Sequence, residues 1–140
     1  MAMFFIGDRI LKQLALKQEY GQSMAILGDW LQFRLIFNPN IAFSLPLSGT
    51  ILNILITVII GSLTSLIIYL ILNKKAQVSL IWPLTFILFG AISNLLDRLS
   101  YGAVIDYFGL KYFTVFNSAD LMISIGVLIL IFKKERKSDD

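Results

Sequence analysis

The sequence predicts an all-α polytopic membrane protein with a small β-element outside the bilayer. Three observations predict it. Of 140 residues, 57% are apolar and only 15% charged, at a mean hydropathy of +0.79. Soluble domains run at about 45–50% apolar and about 25% charged, and a small globule buries only roughly two-thirds of its surface. Next, three windows have the ~20 mostly apolar residues that a spanning helix needs. Finally, these windows hold a single charged residue, Asp120, and every other charge lies outside them.

The N-terminal stretch Met1–Tyr20 is a poor span, because Asp8, Arg9, Lys12 and Lys17 interrupt it. It does not read as a signal peptide either, since the positive region should precede the apolar run. We expect a short, half-buried helix, or a chain that has lost residues at its start. From Gly21 to Gly49 the period changes. Leu31, Phe33, Leu35 and Phe37 alternate with Gln32 and Arg34, the pattern of a half-buried strand. Asn38-Pro39-Asn40 is a turn signal, which makes Ile41–Leu45 the expected returning strand. Asp29-Trp30 suits an interfacial anchor.

The three spanning windows are Ile51–Leu72, Val78–Leu96 and Val115–Phe132. The first ends at Asn73-Lys74-Lys75, the second at Asp97-Arg98, and the third in a charged tail over 133–140. Lys74, Lys75, Lys133, Lys134, Arg136 and Lys137 belong together on the cytoplasmic side. Arg34 and the connection from Arg98 to Lys111 then face outward. A single membrane-embedded domain covers 1–140, with a β-element over about 21–49 and a cytoplasmic tail over about 133–140. The net charge of +3 and pI of 9.3 reflect loop lysines. No basic stripe interleaved with aromatics points to nucleic acid. We expect a monomer among membrane lipids.

His and Cys are both absent. That excludes a Ser-His-Asp or Cys-His nucleophile, a His- or Cys-ligated metal and a disulfide. Polar groups in or beside a span are costly and mark candidate sites. Asn94 and Arg98 are four apart on one helix face, and Asn117 and Asp120 three apart on another. Asp106 lies between them in an apolar connection, Tyr101–Phe108. All of these fall on the outward side. Two carboxylates meeting in such surroundings cannot both ionise cheaply and would share a proton. One, ionised, takes a proton from water; the other donates to a carbonyl oxygen. Peptide hydrolysis by such a pair needs no His, Cys or metal. Asp106 is the best partner for Asp120. Asp97 is the rival, but it adjoins Arg98, and a salt bridge would keep it ionised. The alternatives are a small transporter or assembly factor using Asp120 as a proton relay, and a serine–lysine protease using Ser44 or Ser48 with Lys12.

Five motifs, in this order, resemble those of lipoprotein signal peptidases, the signal peptidase II family. They are Asp8-x-x-x-Lys12, Asn38-Pro39-Asn40-Ile41-Ala42-Phe43-Ser44, Gly90-Ala91-Ile92-Ser93-Asn94-Leu95-Leu96-Asp97-Arg98, Gly102-Ala103-Val104-Ile105-Asp106 and Phe116-Asn117-Ser118-Ala119-Asp120. The resemblance implies a bundle of four transmembrane helices, here with a short or truncated first helix, and a small extracytoplasmic β-cradle. It implies an aspartyl protease of the bacterial cytoplasmic membrane, without cofactor. Such an enzyme removes signal peptides from diacylglyceryl-modified prolipoproteins, cutting before the lipidated cysteine. The matching positions imply Asp106 and Asp120 as the catalytic pair, with Asp8, Lys12, Asn38, Asn94, Arg98 and Asn117 lining or supporting the site. The chain departs from the family pattern at Asn40-Ile41, where Gly-Ala is usual, and at Phe89 and Ser93, where glycines are usual. The link from Asp106 to Asp120 is short, and the first helix is nearly absent.

Overall fold

The computed structural model describes residues 1–19, 22–39, 49–73, 77–112 and 114–133. Helix α1 covers Ala2–Leu16, followed by strands β1 (Ser23–Leu27) and β2 (Leu31–Asn38). Helix α2 covers Gly49–Leu72. A 3-10 turn at Val78–Leu80 leads into α3 (Ile81–Tyr101), and strands β3 (Val104–Leu110) and β4 (Val115–Phe116) precede helix α4 (Ser118–Phe132). The described residues are mostly helical, with one four-stranded antiparallel sheet among them in the order β1-β2-β3-β4.

Helices α2, and α3 with its leading turn, are long and apolar enough to cross a membrane; their best stretches reach mean hydropathies of 2.6 and 1.8. Two-thirds of α2 is exposed, including most of its large apolar side chains, which only an apolar solvent tolerates. Four of its hydroxyls are satisfied within the helix, as an apolar surround demands. Thr57, Ser62, Thr64 and Ser65 each donate to the carbonyl four residues earlier.

Helix α4 packs against α3 at two glycines. A Cβ on Gly90 would lie 2.5 Å from the Ala119 carbonyl oxygen, and one on Gly126 would lie 2.6 Å from that of Pro83. Bare backbone at both points lets the helices approach along their length. Phe89, a departure from the family pattern, sets its ring edge-on to Phe5 of α1. At one end of the molecule, Lys133 beyond α4 donates to Gln77 before α3 (3.1 Å). The sheet lies at the other end.

Three expectations are corrected, and a fourth is not reached by the described residues. The returning strand at Ile41–Leu45 lies outside the described residues, and the partners of β2 are β1 and β3. The connection after α3 is itself a strand: β3 carries an unbroken run of buried residues from Val104 to Tyr107 and fills the middle of the sheet, so the β-element reaches well past 21–49. Helix α3 does not end at Asp97-Arg98. It continues to Tyr101, where Gly102 at φ 73° closes it, because Asp97 is buried and neutralised by cations of α1. The third window is divided, since Asn117 caps a helix that begins only at Ser118. At about 1.5 Å per residue the 15 residues of α4 span ~22 Å, short of the ~30 Å hydrocarbon core.

Candidate active site

Three elements bring the candidate carboxylates together. Asp106 sits on β3, opposite Ile36 of β2, and is 1% exposed. Asn38, the last residue of β2, donates from Nδ2 to Asp106 Oδ2 (3.0 Å). Asp120 sits one turn into α4. Its backbone N–H donates to Asn117 Oδ1 (3.0 Å), and its own Oδ2 accepts from the Asn117 N–H (3.2 Å). This reciprocal pair is a capping box, so the residue that starts the helix also fixes the carboxylate.

Asn117 is the bridge. Its Nδ2 donates to Asp106 Oδ1 at 2.7 Å and lies 3.3 Å from the Ile105 carbonyl and 3.2 Å from Asn94 Oδ1. Asn94, on α3, donates from Nδ2 to Asp120 Oδ1 at 2.8 Å. Each carboxylate is therefore tied to Asn117 and held from its other side by a second amide. Arg98, one turn along from Asn94, donates to the Asn94 carbonyl (3.4 Å) and lies within electrostatic reach of Asp120, Asp106 and Asp97. Burial first, and the Asp120 charge second, push Asp106 up to about 7, against the pull of the Asn38 and Asn117 hydrogen bonds and the Lys12 charge. Near neutral pH a proton is thus available at this site.

Behind the pair lies a buried ionic cluster. Lys12 Nζ is fully enclosed and meets Asp8 (3.0 Å), Asp97 (2.7 Å), Asn94 Oδ1 (3.0 Å) and Ser93 Oγ (3.3 Å). Arg9 reaches the other oxygen of Asp97 (2.5 Å). Asp97 also accepts the Ile105 N–H (3.2 Å), which anchors the strand one residue before Asp106. Asp8 accepts from Ser93, from the Tyr107 hydroxyl (2.8 Å) and from the Ala119 N–H (3.2 Å). The Tyr107 hydroxyl takes the Ser118 N–H in turn (2.9 Å). Burial, then the Asp8 charge, push that phenol upward, so it remains a donor. With both cations committed, the cluster ties α1 to α3, β3 and the first turn of α4.

The family described as Signal peptidase (SPase) II matches residues 1–134 of this chain. The chain belongs to the signal peptidase II family. A lipoprotein signal peptidase of Clostridium tetani (strain Massachusetts / E88) is 32% identical over 132 residues, 90% of this chain and 83% of that protein. Another, of Polynucleobacter necessarius subsp. necessarius (strain STIR1), is 36% identical over 115 residues, 79% of this chain and 69% of its own. A solved structure described as "Bacterial membrane enzyme structure by the in meso method at 2.3 A resolution" shares the fold. It superposes with a TM-score of 0.79 at 22% identity, over 99% of this chain and 91% of its own.

Against this signal peptidase II background, all eight expected site residues gather around one region. Asp106, Asp120, Asn38, Asn94, Asn117 and Arg98 form its front, and Asp8 and Lys12 its rear. Asp97 does not pair with Arg98 as expected; it pairs with Arg9 and Lys12 across the bundle. Lys12, bound by two carboxylates, is no free base for a serine, and Ser44 and Ser48 lie outside the described residues. The proton-relay transporter is not favoured by membership of a peptidase family. Arg9, Tyr107 and Ser118 were not foreseen as site residues, and Ser93 was read only as a departure. For Arg9 the signal was available: a second cation beside an Asp8/Lys12 pair spaced i,i+4 in an otherwise apolar run. Tyr107 gave none, because a tyrosine in an apolar strand looks like packing.

Proposed function

We propose that this protein is a membrane aspartic endopeptidase. It removes the signal peptide from diacylglyceryl-modified prolipoproteins by cutting before the lipidated cysteine. Asp106 and Asp120 are its catalytic pair. The observation that carries this reading is the placement of the two carboxylates on either side of Asn117, one enclosed and one partly open. The signal helix of the substrate enters among the spanning helices with its lipid in the bilayer, and the scissile peptide lies between the two acids. The ionised carboxylate removes a proton from water as its oxygen attacks the carbonyl carbon. The protonated carboxylate donates to the developing oxyanion. Collapse of the tetrahedral species breaks the C–N bond, and the amine leaves with a proton from the pair. Asn38, Asn94 and Asn117 keep the acids in register, while Arg98 lines the site. Asp8 and Lys12 support it from behind.

The enzyme works as a monomer among membrane lipids, without cofactor, in the bacterial cytoplasmic membrane. It is one membrane-embedded domain over 1–140, a bundle of four helices in which α1 is the short member. The sheet is a β-cradle on the extracytoplasmic side, and the tail after Lys133 is cytoplasmic. The test is cleavage of a purified lipidated prolipoprotein. Asp106→Asn and Asp120→Asn each lower turnover by at least about 10²-fold, the lower end of what a positioned acid or base contributes. Both variants remain inserted. Retained cleavage in either one overturns the assignment.

A further inference from the structure

Tyr107 carries a hydroxyl that packing does not ask for. Its ring is fully enclosed in the cluster of Ala15, Phe33, Leu35 and Ile105, with the Phe108 ring edge-on at 4.8 Å. A phenylalanine would fill that space, and a buried hydroxyl costs free energy unless it is paired. This one is paired at every position it has. Its proton goes to Asp8 Oδ1 (2.8 Å), and it accepts from both the N–H (2.9 Å) and the hydroxyl of Ser118. Asp8 Oδ1 takes the Ala119 N–H as well (3.2 Å), and Asn117 Oδ1 takes that of Asp120 (3.0 Å). The first three N–H groups of α4, which a helix leaves without partners of its own, thus go to β3, to α1 and to the cap.

Two ties therefore join the strand of Asp106 to the helix of Asp120. One is the Asn117 amide on Asp106 (2.7 Å). The other is the Tyr107 hydroxyl on Ser118. Tyr107 follows Asp106, and successive residues of a strand point to opposite faces, so the ties grip α4 from both faces of β3. A single tie fixes a distance and lets the helix pivot about it, whereas two fix its direction. The second is also stiff, because the ring between backbone and hydroxyl has no internal torsion. We propose that Tyr107, with Asp8 behind it, is a positioning residue for hydrolysis, a strut from β3 to the first turn of α4 that sets the separation of the Asp106 and Asp120 carboxylates. This deepens the peptidase reading above and rests on it.

Tyr107→Phe removes the end of the strut and keeps the ring. The charges that face Asp106 are Asp120 on α4, Lys12 on α1 and Arg98 on α3, and of these only Asp120 lies on the helix whose first turn Tyr107 holds. As the carboxylates part, their repulsion weakens and Asp106 gives up its proton at lower pH. The full-length enzyme in nanodiscs is assayed on a lipidated prolipoprotein. Tyr107→Phe should lose at least about tenfold in kcat, toward the ~10²-fold that a ~1 Å misplacement costs, with KM little changed. The basic limb of its kcat/KM profile, which reports the free enzyme, should move down by about half a pH unit, the effect of ~1 Å between two nearby unit charges at an effective dielectric constant of ~20. Infrared titration of the Asp106 carboxyl, assigned with Asp106→Asn, reads the same shift without substrate. Ser118→Ala keeps the N–H, removes one partner of the phenol and should show both effects at smaller size; it carries the test where Tyr107→Phe does not fold. Wild-type kcat in both variants overturns the strut. So does a fall in kcat with the limb and the titration unmoved, or one that vanishes when rates are divided by folded enzyme, since the tyrosine then serves stability alone. No cleavage by the wild type defeats the peptidase reading, and the titration still decides the strut.

Discussion

Asn117 serves the helix and the chemistry with one side chain. Its oxygen caps α4 through the Asp120 N–H, and its amide donates to Asp106. The two duties can be separated. Asn117→Ser retains an oxygen that can cap but loses the amide, whereas Asn117→Ala loses both. We expect turnover to fall more than tenfold in each, and only the alanine variant to lose about a further 1 kcal/mol of stability, the usual value of a cap. Thermal melts beside cleavage rates on the same preparations decide it. Asp106 adds a pH signature. Burial raises it to about 7 in the folded protein, against about 3.9 when unfolded. Between those values the native state binds more protons than the unfolded one, so stability is greatest below pH 4. It falls as pH rises toward 7, by at most about 1.4 kcal/mol per pH unit. Asp106→Asn removes this slope. The variant melts higher than the wild type at pH 7, and the gap closes toward pH 4.5. Parallel melting curves across that range would count against a buried, proton-binding Asp106.

At the level of elements, the site depends on how closely α3 and α4 approach. Asn94 reaches Asp120 only because the first turn of α4 lies against Gly90. A methyl group on Gly90 meets a backbone oxygen, which cannot rotate away, so α4 itself must shift. Gly90→Ala should lower kcat by about 10²-fold, the scale of a ~1 Å misplacement of catalytic groups. Gly61→Ala in α2, where an added Cβ meets nothing within 4 Å, should leave cleavage unchanged. Cleavage assays with matched membrane levels make the comparison. The same elements mark what the sequence can and cannot convey. The apolar windows of α2 and α3 and the alternation of β2 are local patterns, and the structure has them where the periods put them. Of the candidate site residues, Asn94, Arg98, Asp106, Asn117 and Asp120 were readable because each is a polar group in a place that is costly for one, whereas Asp8, Lys12 and Asn38 came only through the family resemblance. The end of α3 was misplaced because Asp97-Arg98 looks like an exposed terminus. The distant Arg9 and Lys12, with the Ile105 N–H, make its burial tolerable, and no spacing along the chain expresses the contacts with α1. Strand β3 was missed for a related reason: central in its sheet and buried on both faces, it shows an apolar run instead of alternation.

For the molecule as a whole, the remaining consequence is orientation. The connection between α2 and α3 and the end of α4 lie together, joined by Lys133 and Gln77. The chain segments at this end carry Lys74, Lys75 and the basic tail. The opposite end carries the sheet, the carboxylates and the exposed aromatic rings of Trp30 and Tyr112. The proposed orientation, with these cations retained on the cytoplasmic side, turns the site outward, where a translocated prolipoprotein first presents its cleavage region. The chain has no cysteine, so a single introduced thiol reports one position without background. Asp29→Cys, at the sheet tip, should react with a membrane-impermeant maleimide in intact cells (spheroplasts where an outer membrane intervenes). Lys133→Cys should react only after the membrane is opened. The Lys133 substitution removes one cation among the six of that side, so the remaining five still set the topology. Labelling of Lys133→Cys in sealed cells, with Asp29→Cys protected, would put the candidate carboxylates on the cytoplasmic face. A substrate cut after translocation could not reach them there.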